Sequence, residues 1–218
     1  MTFFHKVITF NPWLSERHEI NDFFYKTYLL LIHMKTSRII LGIILTLILI
    51  LVTIYAYYGG FYKINFEVRQ GGGETLVYRS LKGDYSQTGK VTDEIYQILL
   101  SEYEIETFNG FGIYYDNPAE VATEELRSDV GCILPDAHAD KIPMLESEFK
   151  VETAPFGDFV VAEFPYRGQL SFMVGVMKVY PAMARYVEQQ GLNPNTPVME
   201  IYDIPNKKII YRKEIVEL

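Results

Sequence analysis

Residues 198–202 read VMEIY, an apolar run interrupted by one carboxylate, Glu200. Side chains alternate along a strand, so Glu200 shares a face with Val198 and Tyr202. An acid placed this way has three fates. It can sit at a strand edge, solvated or paired with a Lys or Arg, as most acidic residues do. It can meet a ligand in an apolar pocket, where an unpaired carboxylate is costly and a ring face attracts a cation. It can act as a general base if burial raises its pKa. Glu163 is a second acid in a strand-like run, close to Val161 and Phe164, with a solvent-facing position as its plainer reading. Tyr85 and Tyr166 fall in two turn regions at matching places and are candidates for the rim of a groove. The chain has 17 tyrosines, so ordinary core packing accounts for any one of them better.

Other chemistries find no residues to carry them. Three of the four histidines (His5, His18, His33) precede residue 34, which leaves His138 alone in the rest of the chain. No metal-ligand spacing occurs, and no Gly-x-Ser-x-Gly elbow. Residues 83–90 imitate a phosphate-binding loop, but the spacing is one residue too long and Val91 stands where Ser or Thr would hold magnesium. No cofactor or metal is expected, and an enzyme is the less favoured reading. Cys132 is the only cysteine, so no intrachain disulfide can form. Of the 20 basic and 28 acidic residues, five and three lie in the first 59, leaving a remainder with net charge −10. That balance argues against nucleic acid, whose phosphates need a basic surface.

The elements that would position these residues alternate along the chain. Hydrophobic patterning predicts strands at 62–69, 74–81, 112–116 and 126–134, with a helix at 91–102. It then predicts strands at 149–153, 158–164, 198–202 and 208–212, with a helix at 172–190. Pro181 is expected to kink that helix or split it. Each half therefore reads strand, strand, helix, strand, strand. Tyr115-Asp116-Asn117-Pro118 returns as Tyr202-Asp203-Ile204-Pro205, and Lys82-Gly83 as Arg167-Gly168. This internal repeat predicts an α+β domain in which duplicated units form one antiparallel sheet with two helices on one face. It also places Ile113 and Tyr115 where Glu200 and Tyr202 stand in the second half, so that Ile113, Tyr115, Glu200 and Tyr202 floor one ligand groove.

The repeat, the Lys82-Gly83-Asp84-Tyr85 turn and the Glu200-Ile201-Tyr202 strand resemble the gyrase-inhibitor-like (GyrI-like) effector-binding domain family over about residues 70–212. Residues 112–118, Arg127 with Val130-Gly131 and Ile133-Leu134, and Phe164-Pro165-Tyr166 resemble the branch formed by the testis-expressed endoplasmic-reticulum receptors for selective autophagy. The resemblance implies a lipophilic, often cationic, small molecule held by aromatic rings around a buried acid at Glu200. It also implies two alternatives, a membrane-anchored protein-interaction adaptor and a small-molecule hydrolase using Glu200 or Glu163. The chain ends at Leu218, just after its last predicted strand, so the docking motif of the receptors' disordered tail is not carried over. Nor is transcriptional control, because a membrane helix stands where the bacterial regulators have a DNA-binding domain.

Residues 39–58 are uncharged over twenty positions, enough at 1.5 Å per residue to cross a bilayer. Tyr55, Tyr57 and Tyr58 gather at the end, where amphipathic rings favour headgroups. The run is too long for a cleaved signal peptide and lacks small residues at a cleavage site. The predicted organisation is an N-terminal segment 1–38, a single membrane helix 39–58 in contact with the lipid bilayer, a juxtamembrane stretch 59–69 and the effector-binding domain 70–218. Met34-Lys35-Thr36-Ser37-Arg38 reads as a start in its own right. Residues 1–33 are then an upstream extension, or an interfacial segment using Trp13, Leu14, Ile20, Phe23, Phe24 and Tyr28. Lys26, Lys35 and Arg38 on one flank nearly balance Lys63 and Arg69 on the other, so the side holding the domain stays open.

Overall fold

The computed structural model describes residues 12–216. Residues 1–11, and the side chains of Trp13, Leu14, Ile20 and Phe24 with the interfacial face expected of them, lie outside it. The chain divides into two compact units, Met1–Thr53 and Ile54–Leu218. Most of helix α1 (Pro12–Tyr57) belongs to the first. Within α1, Tyr25–Tyr57 holds an 18-residue stretch of mean hydropathy 3.0 with no residue buried, and the helix is long and apolar enough there to cross a membrane.

The second unit is built on one sheet of eight antiparallel strands. In chain order they are β1 (Phe66–Gly71), β2 (Thr75–Lys82), β3 (Asn109–Tyr114), β4 (Arg127–Leu134), β5 (Lys150–Thr153), β6 (Gly157–Pro165), β7 (Val198–Asp203) and β8 (Lys208–Glu214). Helix α2 (Thr88–Tyr103) separates β2 from β3, short α3 (Ile142–Leu145) precedes β5, and α4 (Leu170–Gln189) separates β6 from β7. The order across the sheet is β1-β6-β8-β7-β3-β4-β2-β5. The central pair is thus β3 with β7. Each half's first strand crosses to the other half, β1 onto β6 and β5 onto β2.

Both long helices lie on one face, as their periodicity requires. Ile95 and Leu99 of α2 pack on Val77, Cys132 and Leu134. Val179, Met183 and Val187 of α4 pack on Phe164, Ile209 and Tyr211. Complete burial of a side chain such as Leu99 contributes about 1.5–3 kcal/mol. The opposite face carries a third cluster, with Leu76, Tyr78, Phe111 and Ile201. Turns enter both helices through a glycine in the left-handed region, Gly83 at φ 123° and Gly168 at φ 121°. Pro181 does not split its helix, which runs unbroken from Leu170 to Gln189. Proline removes one amide donor there, and the buried ladder of Val179, Met183 and Val187 holds the segment to the sheet regardless.

α4 sits close to the sheet because Gly175 has no side chain. A Cβ there would meet the Tyr211 hydroxyl, and would lie 3.2 Å from the Phe164 ring. Both residues are almost fully buried and cannot yield. Gly175→Ala should therefore lower stability by about 1–3 kcal/mol despite alanine's better helix propensity. Gly89→Ala in α2, where a Cβ meets nothing within 4 Å, should be neutral or stabilise by up to about 1 kcal/mol. Thermal or urea unfolding of the two variants checks the contrast.

Candidate functional site

The two helix-covered clusters leave a gap over the central strands. The β3 positions on that side are Gly110, Gly112 and Tyr114, while Phe111 between the glycines fills the core of the other face. The result is a cavity of about 1250 Å³ between α2 and α4. Tyr85, Tyr96, Phe108, Tyr114, Phe172, Tyr180 and Tyr202 give it an aromatic lining, with Glu200 on its floor. Gly112 lies opposite Glu200 across the strand pair, and Gly110 opposite Tyr202. A Cβ at Gly112 would lie 2.8 Å from the Tyr114 hydroxyl, so the glycine lets that ring cross the floor.

Glu200 is 3% exposed, and both carboxyl oxygens are engaged. Tyr180 donates to Oε1 at 2.8 Å and Tyr202 donates to Oε2 at 3.3 Å. The Tyr202 hydroxyl lies 3.0 Å from that of Tyr114, which lies 3.3 Å from Thr88 Oγ1. Thr88 can donate to the Tyr85 carbonyl at 2.8 Å. One chain of hydroxyls thus runs from α2 across β3 and β7 to α4, through the carboxyl group. With Glu200 ionised, Tyr114 donates to Tyr202, and Tyr202 and Tyr180 donate to Glu200. With Glu200 protonated, the acid itself can donate to Tyr202 and the direction can reverse toward Thr88. Burial pushes the Glu200 pKa up to about 7, against the two tyrosine hydrogen bonds that favour the ionised form. Burial, and then the nearby carboxylate, push Tyr180 and Tyr202 well above the usual phenol range.

The other expected site residues fall in different places. Tyr85 lines the cavity, its ring edge-on to Tyr114 at 4.9 Å and its hydroxyl between the Asp116 and Arg127 backbones. Tyr166 is half-buried and packs on Phe172 at 5.1 Å, behind the lining rather than in it. Ile113 and Tyr115 are on the opposite face. Ile113 pairs with Met199 and joins the third cluster; Tyr115 donates to Asp129 at 2.6 Å. The repeated Tyr-Asp-x-Pro motif caused that misplacement. Its offset of 87 residues is odd, whereas facing residues on β3 and β7 share parity, and a one-residue slip moves every side chain to the other face. Glu163 is also on that face, paired with Lys208 at 3.0 Å and Arg69 at 3.2 Å. Burial opposes its ionisation, but the bonds from Lys208 and Arg69 win and hold it below the usual carboxylate range.

Tyr114, Tyr180 and Thr88 were missed from sequence. Two small residues at strand spacing, Gly110 and Gly112, were the available signal for the cavity face. Tyr180 had none beyond its place beside Pro181 on a helix that packs over Glu200. Among the described residues no group of three His, Cys, Asp or Glu side chains could hold a metal.

A sheet of this order, with a buried acid beneath two helices, defines an effector-binding fold, and the match is direct. The chain belongs to the family described as the GyrI-like small molecule binding domain, which its residues 66–215 match. It is similar to human Testis-expressed protein 264, with 32% identity over 180 residues covering 77% of this chain and 55% of that one. The mouse homolog is 31% identical over 134 residues, 59% of this chain and 41% of its own. The chain thus spans about half the length of these curated relatives. Among solved structures, it is similar to EcmrR in an EcmrR–DNA complex, with TM-score 0.54 and 12% identity over 78% of this chain and 65% of that one. The EcmrR C-terminal domain gives TM-score 0.51 and 14% identity, covering 71% and 99%. At those identities the likeness shows the fold alone.

Glu200 leaves a mark on stability. Its folded pKa lies above its unfolded one, so its contribution is complete below about pH 4.5, falls as pH rises to about 7 and is constant above that. The loss across that window is about 3 kcal/mol. Glu200→Gln, which keeps the shape of the protonated acid, should flatten that part of the curve. Urea unfolding of fragment 54–218 from pH 4 to 8 measures the difference.

Proposed function

We propose that this chain is a membrane-tethered domain that binds a lipophilic small molecule, a cation foremost, in the cavity between α2 and α4, to sense or sequester it. The observation that carries this is Glu200, 3% exposed on the floor of an aromatic cavity and held by two phenols that can give way to a ligand. An aromatic box offers area to any apolar body, and its ring faces favour a positive charge. The carboxylate adds a Coulombic partner in a water-poor site, where the attraction is least screened. Membership of a small-molecule-binding family supports the reading. The tether is α1, whose apolar stretch Tyr25–Tyr57 ends at the domain's threshold. On this reading Tyr202, Tyr114, Tyr180 and Tyr85 contact the ligand; Ile113, Tyr115 and Glu163 do not.

A thermal-shift screen of fragment 54–218 tests it, with lipophilic cations, neutral analogues of the same shape and Glu200→Gln in parallel. A true ligand at a hundred times its dissociation constant stabilises by about 2.7 kcal/mol. Cation affinity should rise with pH up to about 7 as the carboxylate ionises, whereas affinity for the neutral analogue should not. Equal shifts from cations and neutral analogues, unchanged in Glu200→Gln, would remove the carboxylate from recognition. No shift from any compound, with the fragment folded, would remove the ligand and favour a protein-interaction adaptor. Consumption of the best binder would point instead to the hydrolase reading.

A further inference from the structure

We propose that the first three turns of α4, together with the chain entering the domain, form a surface that rests on the lipid headgroups. This relies on α1 spanning a bilayer. α4 buries Ser171, Gly175, Val179, Met183 and Val187 along one side. Its first half exposes large apolar side chains along another, Leu170 and Val176 at 41%, Met173 at 57% and Met177 at 69%. Spacings of three and four make Leu170, Met173 and Met177 a continuous stripe. Past it the exposed positions are Pro181 and Ala184 and then the polar Arg185, Glu188 and Gln189. Phe61, before β1, is 70% exposed.

The occupant follows from what the stripe is tied to. Arg167, just before α4, donates to the Tyr57 carbonyl at 2.6 Å, its guanidinium 5.5 Å from that ring's centre. Lys178, one residue past the stripe, donates to the carbonyls of Gly60 at 2.5 Å and Tyr62 at 2.7 Å. Tyr57 is the last residue of the apolar stretch. A segment bonded at one end to Tyr57 and at the other to Gly60 and Tyr62 stays at headgroup depth if the stretch is in the bilayer.

Charge distribution agrees. Residues 60–218 contain 25 acidic side chains, yet none falls in 54–64 or 165–187. Those two segments carry Lys63, Arg167, Lys178 and Arg185. An apolar stripe flanked only by cations, on an otherwise acidic domain, suits the headgroup–acyl boundary. Phe172 and Val176 also line the cavity, so this surface would set its wall at the depth where lipophilic molecules concentrate.

The test uses the full chain in phosphatidylcholine vesicles, with Cys132→Ala and single environment-sensitive fluorophores at Met173→Cys, Met177→Cys, Glu188→Cys or Leu47→Cys. An interfacial helix buries its apolar face by about 5–10 Å, so labels at 173 and 177 should be quenched about twofold more than at 188 by headgroup-level lipid nitroxides. They should also resist aqueous iodide. The label at 47 should be quenched by nitroxides deep in the acyl chains. Quenching at 47 with iodide-accessible labels at 173 and 177 overturns the docking surface alone. An unquenched label at 47 overturns the tether and the surface with it. Labels at 173 and 177 shielded from iodide but untouched by lipid nitroxides would put a second copy or another protein over the stripe, and overturn lipid as its occupant.

Discussion

The structure turns on the difficulty of burying one carboxyl group. Glu200 lies on a central strand at 3% exposure, and an acid so placed needs hydrogen-bond partners. Its donors come from both sides: Tyr180 from α4, Tyr202 from its own strand, and behind Tyr202 the hydroxyls of Tyr114 and Thr88 from β3 and α2. Those four hydroxyls link the two helices through the sheet between them. The helices must stand far enough apart to leave the rings room, and β3 must carry glycine at 110 and 112 so that Tyr114 can lie across the floor. Even the packing of α4 complies: Gly175 lets the helix down onto Tyr211, whose ring stands edge-on to Tyr180 at 6.0 Å.

Much of this architecture was readable in the sequence, because the hydrophobic periods are strong. Ile95 and Leu99, and Val179, Met183 and Val187, mark helix faces that must be covered, and the paired order of strands around them predicted the sheet. Glu200 stood out as a charge in an apolar strand. What failed was face assignment. Tyr115 and Ile113 were matched to Tyr202 and Glu200 by a repeated tetrapeptide, and a period of two makes an odd offset fatal. Phe111 was the better anchor: a large ring between two glycines can serve only the face that lacks the cavity. Tyr180 and Thr88 were out of reach, since their role depends on how two helices settle over a shared floor. Glu163 looked like Glu200 in one dimension and differs through its neighbours in three, Lys208 and Arg69, which draw it to the surface.

The charge pattern adds something that periodicity does not see. An acidic domain need not be acidic everywhere, and the two segments without a carboxylate, 54–64 and 165–187, meet through Arg167 and Lys178. One helix thus carries a wall of the cavity on one side and the attachment to the entering chain on another. A substitution in α4 therefore needs measurement of both properties before either effect is assigned.

The crossing of β1 and β5 ties the two halves of the chain together. Each half of the sheet is sewn to the other by a strand from its partner's beginning, at both outer edges as well as at the β3–β7 seam. Pulling the two halves of the chain apart would break the β1–β6 and β2–β5 pairings as well as β3–β7. α2 and α4 frame the cavity above that sheet. The floor of the cavity is thus one continuous sheet, held at three seams rather than one.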